Sequence, residues 1–329
     1  MHGLAVAKVK AGAQVLGNCK GNEVCLPLYS AMSDAYNLSI LMDVHFGSGL
    51  TDHSRLSEVV TCLQDVFSKS LNDRTALTSS KLGEGESKKA LVMRTVNLLF
   101  KAYFRLNTLR LCKNISRPVE AKGLDKVVPL GGKVEILTYN YYTGRVAMFE
   151  DDYGRAEENL VKAYKGCKGG KGGEGNMRRC LGYLIPVRMV RGCLPTQALL
   201  EKYGLTSVYS SIVTGLRTGN LRLFTTGLRT NQRSFISKGT YLLLEKCKVL
   251  CYRNLFKRVQ TVLASTQLPV SSIKKAFVIA GDEETDDDEV ECVVANLIFK
   301  GFVRGYISHE KKTVVLSKKE AFPKAAFRK

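Results

Sequence analysis

Tryptophan is missing from the 329 residues altogether, histidine occurs four times and proline seven. The lack of tryptophan carries no functional message. The low proline count, with 24% charged and 45% hydrophobic residues, excludes a disordered chain and leaves enough apolar mass for a sizeable core. No stretch reaches the length of a membrane span, and Met1–Lys10 has no apolar run long enough for a secretory signal. The expected setting is therefore reducing. In it most of the ten cysteines (19, 25, 62, 112, 167, 180, 193, 247, 251 and 292) read as small buried hydrophobes, and the sequons at Asn37 and Asn114 carry no glycan.

Catalytic patterns are missing as well. His2, His45, His53 and His309 stand in unrelated settings, and neither G-x-S-x-G nor H-E-x-x-H occurs. Cys247 and Cys251 lie four apart on a predicted helix, a spacing open to a metal, but no histidine is near them in sequence. The glycine-rich stretch 166–176, GCKGGKGGEGN, lacks the Ser or Thr that follows the lysine of a phosphate-binding loop. Helix is predicted on both sides of it, so it reads as a flexible basic loop. The acidic run Asp282–Glu291 lacks the glycine-spaced ligand order of an EF-hand and reads as a helix start facing solvent or a basic partner. No enzyme, cofactor or metal is expected.

Acidic residues are few relative to basic ones, at 30 Asp+Glu against 50 Lys+Arg, a formal net charge of +20. Residues 1–150 carry 19 basic and 13 acidic groups, whereas residues 151–329 carry 31 and 17, and eight of those 17 acids fall between Asp282 and Glu291. The field around the rest of the C-terminal half attracts polyanions: nucleic acid, acidic protein segments or an anionic membrane. The basic tail from Ala321 has too little apolar face to insert, so a membrane is not expected.

What the chain has in quantity is helical periodicity. Apolar stripes predict helices over Gly21–Leu41, Leu50–Ser70, Lys88–Arg110 (one long helix), Val134–Met148 and Phe149–Lys165. Thr78–Ser87 and Gly123–Gly132 read as loops. Met177–Arg191 is predicted to kink or break at Pro186. A short helix over Thr196–Tyr203 is followed by a hairpin of Val208–Thr218 and Asn220–Thr230, with Gly219-Asn220 as the turn, and then by Ser234–Lys248 and Val249–Leu263. Small alanines facing aromatics, as in Tyr153, Ala156, Leu160 and Tyr164, suit stacked helical hairpins. No strict period is visible. The expectation is a mainly α fold with an irregular TPR-like helical-hairpin array.

The last segment changes character. Helix over Tyr252–Ser265, an extended Leu268–Val270, helix over Ser272–Ala280 with Ser271 or Ser272 as N-cap, helix over Asp286–Lys300 closed by Gly301, and a hairpin of Phe302–Ser308 and Thr313–Ser317 follow in the winged-helix order. Phe302 and Arg304 are expected on one face of the first wing strand, with Val303, Gly305 and Ile307 on the other. The third helix opens with Asp286, Asp287, Asp288 and Glu289, which suits its dipole but repels phosphate, so base reading by it is not expected. The cations Lys300, Arg304, Lys311, Lys312, Lys318 and Lys319, with Arg253, Lys257 and Arg258 on the first helix, are the candidate nucleic-acid contacts, aimed at backbone phosphates.

The segments GNEVCLPLYSAMSDAYNL (21–38), FEDDYGRAEENLVKAYKGC (149–167), YLIPVRMVRGCLPT (183–196), GTYLLLEKCKVLCYRNLFK (239–257) and DEVECVVANLIFKGFVRGYISHEKKTVVLSK (288–318) carry a resemblance that spans nearly the whole chain from Gly17. It is to the PCI-domain family, and within it to the subunit of a transcription-coupled messenger-RNA export complex. The resemblance implies a 21–250 helical-repeat PCI scaffold, a 251–320 winged-helix domain and a 321–329 basic tail, after a short 1–20 lead from which the array's first repeats are missing. It also implies a nuclear, pore-associated place with some cytoplasmic presence. The implied partners are a larger PCI-bearing scaffold of the Sac3/GANP type, a small acidic subunit of the Sem1/DSS1 type, and RNA and DNA held by backbone contacts on a joint winged-helix surface. The other reading is a PCI subunit of a proteasome-lid or signalosome-like complex, whose winged helix only pairs subunits.

Overall fold

The computed structural model describes residues 1–19, 21–46, 53–75, 87–126, 132–167, 173–282 and 285–323. The chain folds as two compact units, residues 1–150 with 158–169, and residues 151–157 with 170–329. The fold is mainly α, a helical array with a winged-helix end.

The first unit opens with α1 (His2–Asn18), α2 (Cys25–Phe46) and α3 (Ser54–Leu71). The 1–20 segment is therefore a helix of the array itself: Val9, Ala13 and Leu16 are buried among Leu28, Met32, Leu56 and Leu63. Gly12 permits this approach, because a Cβ there would lie 2.7 Å from Leu28 Cδ1. Asp43 of α2 starts the next helix: its Oδ2 accepts the Leu56 N–H at 3.2 Å and its Oδ1 lies 3.5 Å from Arg55. Asp73 does the same for a 3-10 turn at Lys88–Leu91, accepting the Ser87 hydroxyl at 2.9 Å and the Lys88 N–H at 2.8 Å. Of the loop expected over Thr78–Ser87, residues 78–86 lie outside the described residues, and Ser87 caps the 3-10 turn.

The single helix expected over Lys88–Arg110 is divided. α4 (Val92–Arg105) ends where Asn107 takes φ 55°, and α5 begins afresh (Arg110–Ala121). Asparagine tolerates the left-handed region, and the Thr108 N–H returns to the Tyr103 carbonyl at 2.9 Å, the closure of a Schellman motif. A 3-10 turn at Leu124–Lys126 and α6 (Lys133–Phe149) complete this part, with Phe100 and Phe104 of α4 against Tyr139, Tyr142 and Phe149 at ring separations of 5.2–6.3 Å. The helix α7 (Tyr153–Gly166) follows.

In the second unit, α8 (Gly173–Val190) runs unbroken through Pro186, against the break expected there, and it includes 173–176 of the stretch expected to be a loop. Residues 168–172 lie outside the described residues. Proline has no N–H to give the carbonyl four residues earlier, which belongs to Gly182. The Tyr209 hydroxyl donates to that carbonyl at 3.3 Å and makes the interior proline tolerable.

Thr196 caps α9 (Gln197–Lys202), its Oγ1 accepting the Leu199 N–H. The expected hairpin is formed by α10 (Thr206–Thr218) and α11 (Leu221–Thr230), with Gly219 left-handed at φ 70° and Asn220 Oδ1 capping the Leu223 N–H at 2.9 Å. The single helix expected over Ser234–Lys248 is two, α12 (Gln232–Lys238) and α13 (Tyr241–Lys246), parted by Gly239 at φ 69°. The Thr240 N–H closes back on the Phe235 carbonyl at 2.9 Å.

α14 (Lys248–Leu263) begins the last module, and the boundary drawn from sequence at 250/251 lies inside it. β1 (Gln267–Pro269) leads straight into α15 (Val270–Ala280). Neither Ser271 nor Ser272 caps this helix: the N-cap is Pro269, and the Val270 N–H reaches the Lys312 carbonyl at 2.9 Å. α16 (Asp287–Phe299) starts on Asp286, whose Oδ1 accepts the Glu289 N–H at 2.7 Å.

The wing consists of β2 (Gly305–Ser308) and β3 (Thr313–Leu316), and the antiparallel sheet has the order β1-β3-β2. Gly305 faces Leu316 and Ser308 faces Thr313. The alternation expected from Phe302 is not found. Phe302 and Val303 are both buried, because Gly301 at φ 73° folds them back so that both N–H groups reach the Leu297 carbonyl.

Candidate nucleic-acid interface

The wing is held at its base and at its tip. At the base, Gly305 is required by space: a Cβ there would lie 2.3 Å from the Val315 carbonyl oxygen. At the tip, Lys312 adopts φ 45° and its N–H closes a turn onto the His309 carbonyl at 3.1 Å. That turn points Lys312 and His309 back toward α16. Glu291 Oε2 lies 2.7 Å from His309 Nδ1, Glu291 Oε1 lies 3.2 Å from Lys312 Nζ, and Asp288 lies 3.6 Å from the same Nζ. The hydrogen bond from His309, against the opposing pull of desolvation and with Lys312 adding to it, holds the Glu291 carboxyl below the usual carboxylate range. The bond to Glu291 in turn holds the Lys312 ammonium above the usual lysine value.

The acidic run is therefore not only a helix start. Its second turn is the seat of the wing tip. The remaining signs fit the dipole, and Asp287 also meets Lys274 of α15 at 3.0 Å.

The structure distributes the nine candidate cations unevenly. Arg253 is corrected outright. It is 7% exposed. Its Nη2 donates to the Pro323 and Phe322 carbonyls at 2.6 and 3.2 Å, and its Nη1 donates to Asn254 Oδ1 at 2.8 Å. It therefore pins the chain after the wing against α14, where the Phe322 ring sits 5.6 Å from that of Phe256. Arg304 is exposed but paired with Glu320 at 2.5 Å, and its backbone N–H reaches the Ala321 carbonyl. Lys312 is engaged as described.

Lys257 and Arg258 are exposed on α14, Lys300 is exposed at the end of α16, Lys311 is exposed at the wing tip, and Lys318 and Lys319 are exposed just after β3. These six keep their charge at the surface. The fate of Arg253, Arg304 and Lys312 was not readable from sequence, because the Phe322 and Pro323 carbonyls, Glu320 and Glu291 that engage them each lie 16 or more residues away. The run Asp288–Glu291 opposite a tip rich in cations was the one available signal.

The last module adds a polar tie at its other end. The Tyr252 hydroxyl donates to Asp282 Oδ2 at 2.6 Å, and burial, followed by this carboxylate, raises the phenol above its ordinary value. Cys247 and Cys251 are buried, and their thiols are directed at the Leu243 and Gly215 carbonyls. Among the described residues no group of His, Cys, Asp and Glu could hold a metal ion, and no helix is long and apolar enough to cross a membrane.

Similarity to known proteins follows the same geography. The model of the PCI domain matches residues 228–318, from the end of α11 to just past the wing. A Drosophila melanogaster protein described as a PCI domain-containing protein 2 homolog is 35% identical over 314 residues, covering 95% of this chain and 76% of its own. PCI domain-containing protein 2 of Danio rerio is 38% identical over 76% of this chain and 61% of its own. A Gibberella zeae protein called protein CSN12 homolog is 34% identical over 79% of this chain and 59% of its own. The chain thus spans about three fifths of the length of several curated relatives it matches.

Proposed function

The chain belongs to the PCI domain-containing protein 2 family, and on that premise we propose that it is a non-enzymatic adaptor subunit of a transcription-coupled messenger-RNA export complex at the nuclear pore. In this reading the helical array binds a larger PCI-bearing scaffold and a small acidic subunit, and the winged helix contacts RNA and DNA by their phosphates. The observation that carries it is the identity to a relative over 95% of the chain, with the PCI-domain match running through the wing. A net charge of +20 suits an acidic partner and a polyanionic ligand alike. The exposed Lys257, Arg258, Lys300, Lys311, Lys318 and Lys319 supply phosphate contacts, and the acidic opening of α16 argues against base reading.

One observation favours a second reading, a lid-like or signalosome-like subunit whose winged helix only pairs with other subunits. Arg304 and Lys312 already have carboxylate partners within the chain, and Arg253 is buried. The two readings separate in one experiment. Labelled single-stranded RNA and duplex DNA are titrated across a salt series with the parent chain and with a variant carrying Glu at Lys257, Arg258, Lys300, Lys311, Lys318 and Lys319. The adaptor reading expects a steep salt slope with little sequence preference, flattened in the variant by roughly 0.7 for each phosphate of a single strand that is no longer neutralised. Identical binding by parent and variant would assign the winged helix to subunit pairing.

A further inference from the structure

The wing is not where the positive charge is least opposed. Between residues 176 and 281 the chain carries 17 basic residues and two acidic ones, Glu201 and Glu245. Several of the cations are accounted for. Arg188 and Arg191 share Glu157, Lys246 takes Asp151, Lys274 takes Asp287, and Arg253 holds the chain at Phe322 and Pro323.

Arg178, Lys202, Arg229, Arg233 and Lys238 are different, and three contacts tie together the elements that carry them. Arg178 of α8 donates from Nη2 to the Gly204 carbonyl at 3.3 Å, just past the end of α9, whose last residue is Lys202. One turn along α8, Gly182 has no Cβ, and the Lys238 Nζ of α12 lies 3.8 Å from where one would stand. Asn231, between Arg229 and Arg233, donates from Nδ2 to the Ser207 and Val208 carbonyls at 3.5 Å. The short segment 204–208 is therefore shared by Arg178 and by the α11–α12 junction.

Arg178, Lys202, Arg229 and Arg233 are exposed, and Lys238 is half-buried. The nearby acid in sequence, Glu201, is exposed and accepts from Gln197 Nε2 at 2.9 Å. Burial first, and then Arg178 beside it, holds the Lys238 ammonium below the ordinary lysine value. Two cations that raise each other's energy in this way gain from an anion set between them, and by linkage the anion restores the proton affinity of Lys238.

We propose that this part of the helical layer is a second polyanion surface, at which Arg178, Lys202, Arg229, Arg233 and Lys238 contact backbone phosphates of a nucleic acid. It rests on the reading that the chain binds nucleic acid at all, and extends the footprint beyond the wing. Phosphodiester is favoured over a single small anion because the five charges are carried by four helices, with Arg233 near the start and Lys238 at the end of α12. Guanidinium groups make up three of the five, and their planar fork pairs with phosphate oxygens. A strand running over them meets phosphates in succession and needs no base-specific group.

The test uses the full chain, labelled single-stranded RNA, and three variants. The layer variant has Gln at all five positions. The conservative variant exchanges Arg for Lys and Lys for Arg at the same five. The wing variant is the Glu set given above. Far-UV circular dichroism and melting temperature verify that each is folded.

The expected result is that the layer variant binds at least about tenfold more weakly at about 0.1 M salt, with a salt slope flatter by about 3, and that the conservative variant keeps the parent's slope. Loss in the layer variant with a silent wing variant would sustain this surface and sink the wing. Loss only in the wing variant would do the reverse and overturn the inference. A parent that binds no RNA, but binds polyglutamate through these five residues, also overturns it, since the surface is then one for an acidic protein.

Discussion

Burial and three acceptors make Arg253 a fastener: its guanidinium holds Asn254 and the Phe322 and Pro323 carbonyls, and Phe256 receives the Phe322 ring beside it. Removing it leaves those carbonyls without a donor. Arg253→Met is expected to lower the unfolding free energy by about 2–4 kcal/mol. Lys257→Gln, a few residues along α14 but exposed, is expected to change it by less than about 0.5 kcal/mol. Urea unfolding of the pair measures both. Glu291 acts at the surface in the opposite sense, occupying Lys312 and His309. Its carboxyl is held below the usual range in the folded chain, so the clasp contributes stability above the unfolded value of about 4.3 and loses it as pH falls through the lower folded value. Glu291→Gln is expected to abolish that acid-limb dependence. It also frees a wing-tip cation, which should steepen the RNA salt slope by about 0.7.

Helix starts and stops show which elements the chain encodes locally. Gly219-Asn220, Thr196 and Asp286 are read correctly from sequence as a turn, a helix start and an acidic helix opening, because their contacts lie within three or four residues. Pro186 is misread because its remedy is Tyr209, a hairpin further along the chain. That pairing makes a double-mutant cycle informative. Tyr209→Phe strips the buried Gly182 carbonyl of its donor and is expected to cost about 1–3 kcal/mol. In a Pro186→Ala background, where residue 186 regains an N–H for that carbonyl, the cost should shrink by about 1 kcal/mol. The wing supplies a second comparison. Gly301→Ala has open space and costs only the strain of φ 73°, about 1 kcal/mol, whereas Gly305→Ala meets the Val315 backbone oxygen and should cost more than about 2 kcal/mol. Chemical denaturation of the two glycine variants checks the order.

At the scale of the whole molecule, charge is the property with the widest reach. Most of the excess belongs to residues 151–329, where 31 basic groups face 17 acids. A polyanion that binds only the folded chain raises its stability by mass action, about 2.7 kcal/mol at a hundredfold excess over Kd. A small acidic subunit is accordingly expected to raise the melting temperature in a concentration-dependent way, and to do so less at about 0.5 M than at about 0.05 M salt, because screening weakens the attraction. A thermal-shift titration at both salts reads this directly. A shift that does not depend on salt would point to an apolar interface for that partner.

Sequence by itself determined the mainly α class, the order of the winged-helix elements, the helix starts at Thr196 and Asp286 and the turn at Gly219-Asn220, and the sign and location of the charge. All of these depend on spacing within a turn or two of helix or on simple composition. Tertiary structure alone decided how each cation is used. Arg253, Arg304 and Lys312 look like Lys257, Arg258 and Lys311 in the chain. Yet the first three meet carbonyls or carboxylates brought in by folding, whereas the others stand exposed at the surface. The same holds for Arg178 and Lys238, far apart in the chain, which become neighbours because Gly182 leaves room between α8 and α12. Charge is legible locally, but its partner is a matter of distance in space, and distance in space is set by packing.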